Sequence, residues 1–256
     1  MAYRRNKRRY GRRRHESRGG SVVPVIACII LAPLAVIFAL TVFFKVATVT
    51  VSGESGYPDS RIVEASGIKV GDNMFRFNKF EAIEGIFAEM PYIDELSIRR
   101  KLPGTVEITV SRCEPALTVQ SENRWYLADI KGKLLEVSDT PHENVIKVTG
   151  AELFEPEIGK YMKIFEEEKQ NPLFLLLNTL KNNGIIPYIS DINMQKIYAI
   201  KFLYKDRLTV NIGTTEGIEK KLRFMLLIAE ERLAPTDEGT IDVSDAVTAR
   251  FIPNRK

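Results

Sequence analysis

The sequence predicts an α+β protein hung from a single membrane-spanning helix. Three observations carry this reading: an uncharged run near the N-terminus, a following region that mixes strand-period and helix-period segments, and a long remainder of short strand-like segments interrupted by two amphipathic helices.

The uncharged run is SVVPVIACIILAPLAVIFALTVFF, 24 residues from Ser21 to Phe44. At the helical rise it covers the roughly 30 Å of a bilayer's hydrocarbon core. Pro24 and Pro33 are compatible with a membrane helix, where neighbouring groups satisfy the freed carbonyls. A cleaved signal peptide has an apolar core of about 7 to 15 residues and a small-residue exit. This run is longer, and bulky Phe43 and Phe44 stand at its end, so an uncleaved anchor is expected.

Ahead of it, residues 1–20 carry nine basic side chains, Arg4, Arg5, Lys7, Arg8, Arg9, Arg12, Arg13, Arg14 and Arg18, against one acid, Glu16. Taken alone, the run YRRNKRRYGRRRH would suit nucleic acid, because basic groups release counterions from phosphate and aromatic rings stack on bases. Immediately before a membrane span it is first a topology signal that keeps the N-terminus cytoplasmic. Contact with anionic headgroups would add about 1 kcal/mol per basic residue near the surface.

Beyond the span, residues 45–256 hold 28 Lys/Arg and 32 Asp/Glu, a formal net of −4. A slightly acidic exterior argues against nucleic acid or anionic lipid as its partner there and favours proteins or the cell wall. Cys28 lies in the span and Cys113 outside it, so no disulfide framework is expected. The exterior is long enough for two domains with cores of their own. The expected organisation is a basic tail at 1–20, the span at 21–44, a first domain at 45–113, a second at 114–252 and a short tail at 253–256.

In the first domain, Val46 to Ser52 alternates Val49 and Val51 with Thr48 and Thr50, the period of a strand. Pro58 to Ser66 reads as a short helix with Pro58 at its first position and Gly67 past its end. Asn78 and Glu81 have capping-box spacing ahead of a second helix, whose Ile83, Ile86, Phe87 and Met90 share a stripe, and Pro91 stops it. Tyr92 to Arg100 and Thr105 to Arg112 form a hairpin across Lys101 to Gly104. The order is strand, helix, helix, strand, strand, enough for a three-stranded sheet covered by two helices.

The second domain begins with short strands at Leu117 to Val119, Trp125 to Ala128, Leu134 to Val137 and Val145 to Thr149, read as an antiparallel meander. A helix is predicted over Asn171 to Gly184, with Asn171 as N-cap, Pro172 first and Leu173, Leu176, Leu177 and Leu180 on one stripe. The acidic run Glu166 to Glu168 is a solvated helix face or loop. Strands at Lys196 to Tyr204 and Leu208 to Gly213 turn at Lys205 to Arg207. An amphipathic helix follows through Ile218, Leu222, Met225, Ala229 and Leu233. The chain closes on strand signals at Ile241 and Val243 and along Ala246 to Ile252, with Pro253 ending the pairing.

The order of these elements resembles a POTRA domain. With the basic tail, the single span, GIKVGDNMFRF (Gly67 to Phe77), PYIDELSIRRKLPGTVEITV (Pro91 to Val110), EPA (Glu114 to Ala116) and WYLADIKGKLLEV (Trp125 to Val137), the chain resembles the FtsQ/DivIB family of bacterial division proteins. The positions that carry the likeness are Gly67, Gly71, Asn73, Phe75, Pro91, Arg99, Pro103, Pro115, Asp129, Gly132 and Asp242. Two departures stand out: Arg112-Cys113-Glu114-Pro115 replaces the family's acid and base ahead of x-Pro, and Ser244 replaces the basic residue after Ile241-Asp242-Val243.

The resemblance implies a non-enzymatic, type II membrane scaffold of the divisome. Its partners would be FtsL and FtsB/DivIC-like single-span proteins, and its role to position and regulate septal peptidoglycan synthesis, with no cofactor. It also implies that the last strand is the partner-binding element, Ala246, Val247, Thr248, Ala249, Arg250, Phe251 and Ile252 accepting a strand by main-chain pairing, so that Thr248→Pro would interrupt it. From the residues alone, an ordinary closing strand is the plainer reading.

Two other classes share some of these features. A sortase-like transpeptidase would draw on Cys113, His142 and Arg250, but sortases place the histidine before the cysteine, and here His142 follows Cys113. A chaperone-like POTRA module for polypeptide transport would call for several repeats and a barrel, and this chain shows one unit. Only His15 and His142 are present, one on each side of the membrane, which makes a histidine metal site implausible.

Overall fold

A computed structural model describes residues 22–245 and 247–254. The basic tail and Ala246 lie outside the described residues. Helix α1, Val22–Val42, is apolar on every side, all its large side chains are exposed, and it is long and apolar enough to cross a membrane.

The region after it has the predicted order: β1 Thr48–Gly53, α2 Asp59–Ala65, α3 Lys79–Glu89, β2 Ile93–Lys101 and β3 Thr105–Arg112. The sheet order is β1-β3-β2, with β1 parallel and β2 antiparallel to β3. Val106, Ile108 and Val110 on β3 pack with Ile62 of α2 and Ala82 and Ile86 of α3 into one buried cluster. Asn78 caps α3, its Oδ1 accepting the Phe80 N–H and its Nδ2 donating to Glu81. Pro58 stands at the N-cap of α2 rather than at its first helical position; its extended ψ of 136° sets the chain entry instead of the first turn.

The remainder is one nine-stranded sheet built from β4 Pro115–Ser121, β5 Arg124–Asp129, β6 Leu134–Ser138, β7 Ile146–Thr149, β8 Ile189–Asn193, β9 Ile200–Tyr204, β10 Leu208–Gly213, β11 Gly239–Asp242 and β12 Arg250–Pro253. Its order is β12-β11-β10-β9-β8-β7-β4-β5-β6. Helices α4, Glu167–Asn182, and α5, Ile218–Glu231, supply Leu173, Leu176, Leu177, Leu180, Leu222 and Met225 to the core beneath it.

Four expectations change here. The meander holds for β4, β5 and β6, but β7 pairs parallel to β4 on its other side, with Leu117 opposite Ile146. Parallel neighbours need a long crossover, and α4 and α5 provide it: β7 to β8 runs through α4, and β10 to β11 through α5. Strand β8, ISDIN, has no clear sequence signal, because its Ser, Asp and Asn are turn-favouring residues and only its two isoleucines are buried.

Helix α4 starts at Glu167, so Pro172 lies inside it. The missing N–H orphans only the carbonyl of Glu168, which is exposed in the first turn. Gln170 holds that turn, its Oε1 accepting from Ile164 N–H and its Nε2 donating to the Met162 carbonyl, and Lys169 Nζ donates to the Gly150 carbonyl. Glu167 and Glu168 face the positive end of the helix dipole.

Strand β12 covers only Arg250–Pro253. Val247 N–H and Thr248 Oγ1 both donate to the Asp245 carboxylate, which folds the preceding segment into a turn instead of a ladder. Pro253 is the last residue of the strand and is itself paired, opposite Gly239.

Candidate functional site

The sheet edge at β12 is set by its neighbour. Strand β11 runs parallel to β10 and donates to it from Gly239 N–H, to the Arg207 carbonyl, and from Val243 N–H, to the Asn211 carbonyl. Odd-numbered main-chain groups of β11 therefore face β10, and even-numbered ones face β12. The Asn254 N–H accordingly donates to the Glu238 carbonyl.

Alternation then fixes β12. The main-chain groups of Arg250 and Ile252 turn toward Asp242 and Thr240, while the N–H and C=O of Phe251 and the C=O of Pro253 turn away from the sheet. Pro253 sits where its missing N–H costs no ladder bond. The side chains complete the surface: Phe251 leans into the core, and Ile252, 55% exposed, faces solvent with Arg250.

Gly239 makes the close pairing possible. A Cβ there would lie 2.4 Å from the Ile252 carbonyl oxygen and 2.8 Å from the Phe251 ring. Asp242, at the other end of β11, is the most heavily bonded carboxylate of this edge. It accepts from Ser244 N–H at 2.9 Å, Ser244 Oγ at 2.6 Å and Asn211 Nδ2 at 3.2 Å. Burial alone would raise its pKa, but these bonds and the charge of Arg250 outweigh burial and hold it below the usual carboxylate range. Ser244, the departure from the expected basic residue, thus serves the same aspartate from within the chain.

The other motif positions do not gather around this edge. Gly67 and Gly71 adopt positive φ in the loops after α2 and before Asn73. Asn73 bonds the end of α1, and Phe75 packs on Phe44. Arg99 is exposed on β2 opposite Glu107, and Pro103 is at the hairpin tip. Pro91 follows α3, Pro115 opens β4 opposite Asp129, and the Asp129 carboxylate accepts the N–H groups of Lys131 and Lys133 to close the β5–β6 turn.

That turn forms a second cluster, between the two sheets. Lys131 Nζ pairs with Asp94 at 2.9 Å, Lys133 Nζ donates to the Ile93 carbonyl, and Tyr92 Oη donates to Glu136 at 2.8 Å. Cys113, Leu127 and Leu135 make a small core beneath them. The ligand atoms of Asp94, Cys113 and Asp129 lie within 4.8 Å of one another, and the two lysine ammoniums already supply the balancing charge.

Burial pushes the Cys113 thiol up to about 11, opposite to the lowered pKa a nucleophilic cysteine needs. Cys113 packs beside β5 and β6 at one edge of the sheet, whereas Arg250 stands on β12 at the other. The transpeptidase triad is not assembled. Lys133, Asp94, Asn211 and Gly239 were not singled out from sequence; Gly239 alone carried a signal, a glycine opening a strand run.

Comparison with known proteins agrees with this architecture. Residues 44–111 match the family "POTRA domain, FtsQ-type". Over 223 residues the chain is 30% identical to a cell division protein DivIB of Clostridium botulinum, covering 86% of each chain. It is 28% identical over 203 residues to DivIB of Clostridium acetobutylicum, covering 79% of this chain and 80% of that one. It is 26% identical over 132 residues to the cell division protein FtsQ of Corynebacterium glutamicum, covering 52% of this chain and 59% of that one.

Proposed function

This chain belongs to the FtsQ/DivIB family of cell division proteins, a non-enzymatic family, and from that premise we propose that it is a type II, single-pass scaffold at the division septum. Its cytoplasmic tail orients the anchor, and its exterior domains bind FtsL and FtsB/DivIC-like partners, helping to position and regulate septal peptidoglycan synthesis. The orientation rests on the nine basic residues before the span.

The observation that carries the binding mode is the free edge of β12. Its outward Phe251 N–H, Phe251 C=O and Pro253 C=O offer a ladder to an added strand, and exposed Arg250 and Ile252 offer side-chain selectivity. Val247, Thr248 and Ala249 precede the ladder and would join it only if the partner extended them.

Phe251, not Thr248, lies in the ladder and carries the outward N–H. Phe251→Pro removes the outward N–H while sparing the bonds to β11, and Phe251→Leu controls for the lost ring. Co-purification of the membrane partners should fail for Phe251→Pro and persist for Phe251→Leu and Thr248→Pro. Normal recovery with Phe251→Pro would exclude strand addition at this edge.

A further inference from the structure

Between the last turn of α1 and the first residue of β1 there is no free linker. The Phe44 carbonyl accepts from Met74 N–H at 2.9 Å, Val46 N–H donates to the Asp72 carbonyl at 2.7 Å and its carbonyl accepts from Gly71 N–H at 2.7 Å, and Ala47 N–H donates to the Gly104 carbonyl at 2.7 Å. Asn73 completes the joint. Its Nδ2 donates to the carbonyls of Leu40 at 2.9 Å and Thr41 at 3.3 Å, and its Oδ1 accepts from Phe75 N–H at 2.9 Å. Helix ends leave such carbonyls without partners inside the helix, so a side chain of the exterior domain caps the membrane helix.

This joint brings the loop Gly71–Phe77 alongside the helix instead of beyond it. Phe75 and Arg76 line a groove with Ile37, Leu40 and Thr41, a full turn before the helix ends. The Phe75 ring lies 5.5 Å from that of Phe44 in an edge-on arrangement, yet Phe75 is 49% exposed, and Phe43, which precedes Phe44 in the chain, is 73% exposed. Val70 and Leu102, on the loops that bond Lys45 to Ala47, are also exposed.

An apolar span that reaches the level of these side chains puts them at the depth where hydrocarbon gives way to headgroups. Aromatic rings favour that depth, and an arginine can bury its stem there while its guanidinium reaches phosphate.

We propose that the loop Gly71–Phe77 is a lipid-contacting collar: Phe75 and Arg76 insert into the interfacial layer of the leaflet from which α1 emerges, and with the Asn73 cap they hold the first exterior domain against the membrane at a set tilt. The occupant of this apolar surface is the bilayer itself, because the exposed residues run on without a break from the exposed face of α1. The proposal rests on the reading of Val22–Val42 as a membrane anchor.

The experiment uses the full chain in phosphatidylcholine vesicles, with Trp125→Phe removing the one native tryptophan. Single reporters are Phe75→Trp, Arg76→Trp, Phe38→Trp within α1, and Tyr198→Trp, 65% exposed on the second domain. Quenching is read against lipid brominated near the headgroup end of one acyl chain. The collar predicts blue-shifted emission and strong quenching for Phe75→Trp and Arg76→Trp, with none for Tyr198→Trp, and a loss of quenching at position 75 when Asn73→Ala is added. If Phe38→Trp is quenched while both collar reporters behave like Tyr198→Trp, the collar is wrong and the anchor stands. If Phe38→Trp is unquenched as well, the anchor reading falls and takes the collar with it. Arg76 is an exposed position, so its reporter keeps the test decisive even if Phe75→Trp disturbs packing.

Discussion

The ammonium of Lys133, on the β5–β6 turn of the large sheet, donates to the main-chain carbonyl of Ile93, the first residue of β2 in the small one. The same Nζ lies 4.8 Å from the centroid of the Phe87 ring on α3. This side chain thus bridges the two sheets beside the Lys131–Asp94 and Tyr92–Glu136 contacts, and Lys133 is buried, with burial lowering its pKa. Removing it leaves a buried carbonyl without its donor. Lys133→Ala should lower the unfolding free energy by about 1–3 kcal/mol, the cost of an unsatisfied buried group. Denaturant unfolding of the region after α1 checks this; an unchanged midpoint would mean that the ammonium is not holding the joint.

Gly132, one residue earlier, adopts φ +87°, and a Cβ there would lie 2.6 Å from the Phe174 ring on α4. Gly132→Ala should destabilise by about 1–3 kcal/mol through overpacking and left-handed strain. Phe174→Leu should recover part of the loss, because it removes the clash but not the strain. A double-mutant cycle with no coupling between the two positions would contradict the contact.

At alkaline pH the same joint should weaken. Burial raises the Cys113 thiol from 9.0 to about 11, and burial with the hydrogen bond to Glu136 raises Tyr92 from 10.0 to about 12. A raised folded-state pKa gives stability that is complete below the unfolded value and lost as pH climbs to the folded one. For Cys113 the loss between about pH 9 and 11 comes to about 2–3 kcal/mol, at roughly 1.4 kcal/mol per unit. Lys133 works in the opposite sense, its lowered pKa adding stability as pH rises toward 10.5. The diagnostic is therefore a difference in slope: Cys113→Ala should flatten the decline of unfolding free energy above pH 9, and an identical slope would remove the thiol from the account.

Gly239→Ala should act on the sheet edge while sparing the rest. Its Cβ would meet the Ile252 carbonyl oxygen, so β12 must move off β11. Faster amide exchange at Ile252 and Asn254, with Val210 and Phe202 unchanged and partner recovery reduced, is the expected pattern. Protection at Ile252 equal to that of the unaltered chain would show that the approach is not tight.

Several elements were legible from short-range pattern. The anchor follows from an uncharged run, the hairpin of β2 and β3 from alternation around Leu102 to Gly104, and α3 from the Asn78 cap and its apolar stripe, because each is stabilised within its own segment. Strand β8 and the first turn of α4 were not legible: Ile189 and Ile192 acquire meaning only between β7 and β9, and the first turn of α4 is held through main-chain groups of Ile164, Met162 and the more distant Gly150, which carry no sequence signature.

By itself, the order of residues determined that this chain has an N-terminal helix long and apolar enough to cross a membrane, a basic flank before it, a β-α-α-β-β unit after it, and the motif pattern of a division-protein family. Only the tertiary structure decided which groups face outward from β12, because the parity of β11 is set by its bonds to β10 across a helical crossover. It also decided that Asn73 caps the anchor and Lys133 joins the two sheets. Both are contacts between residues dozens of positions apart, and their partners are main-chain carbonyls, which carry no sequence signature.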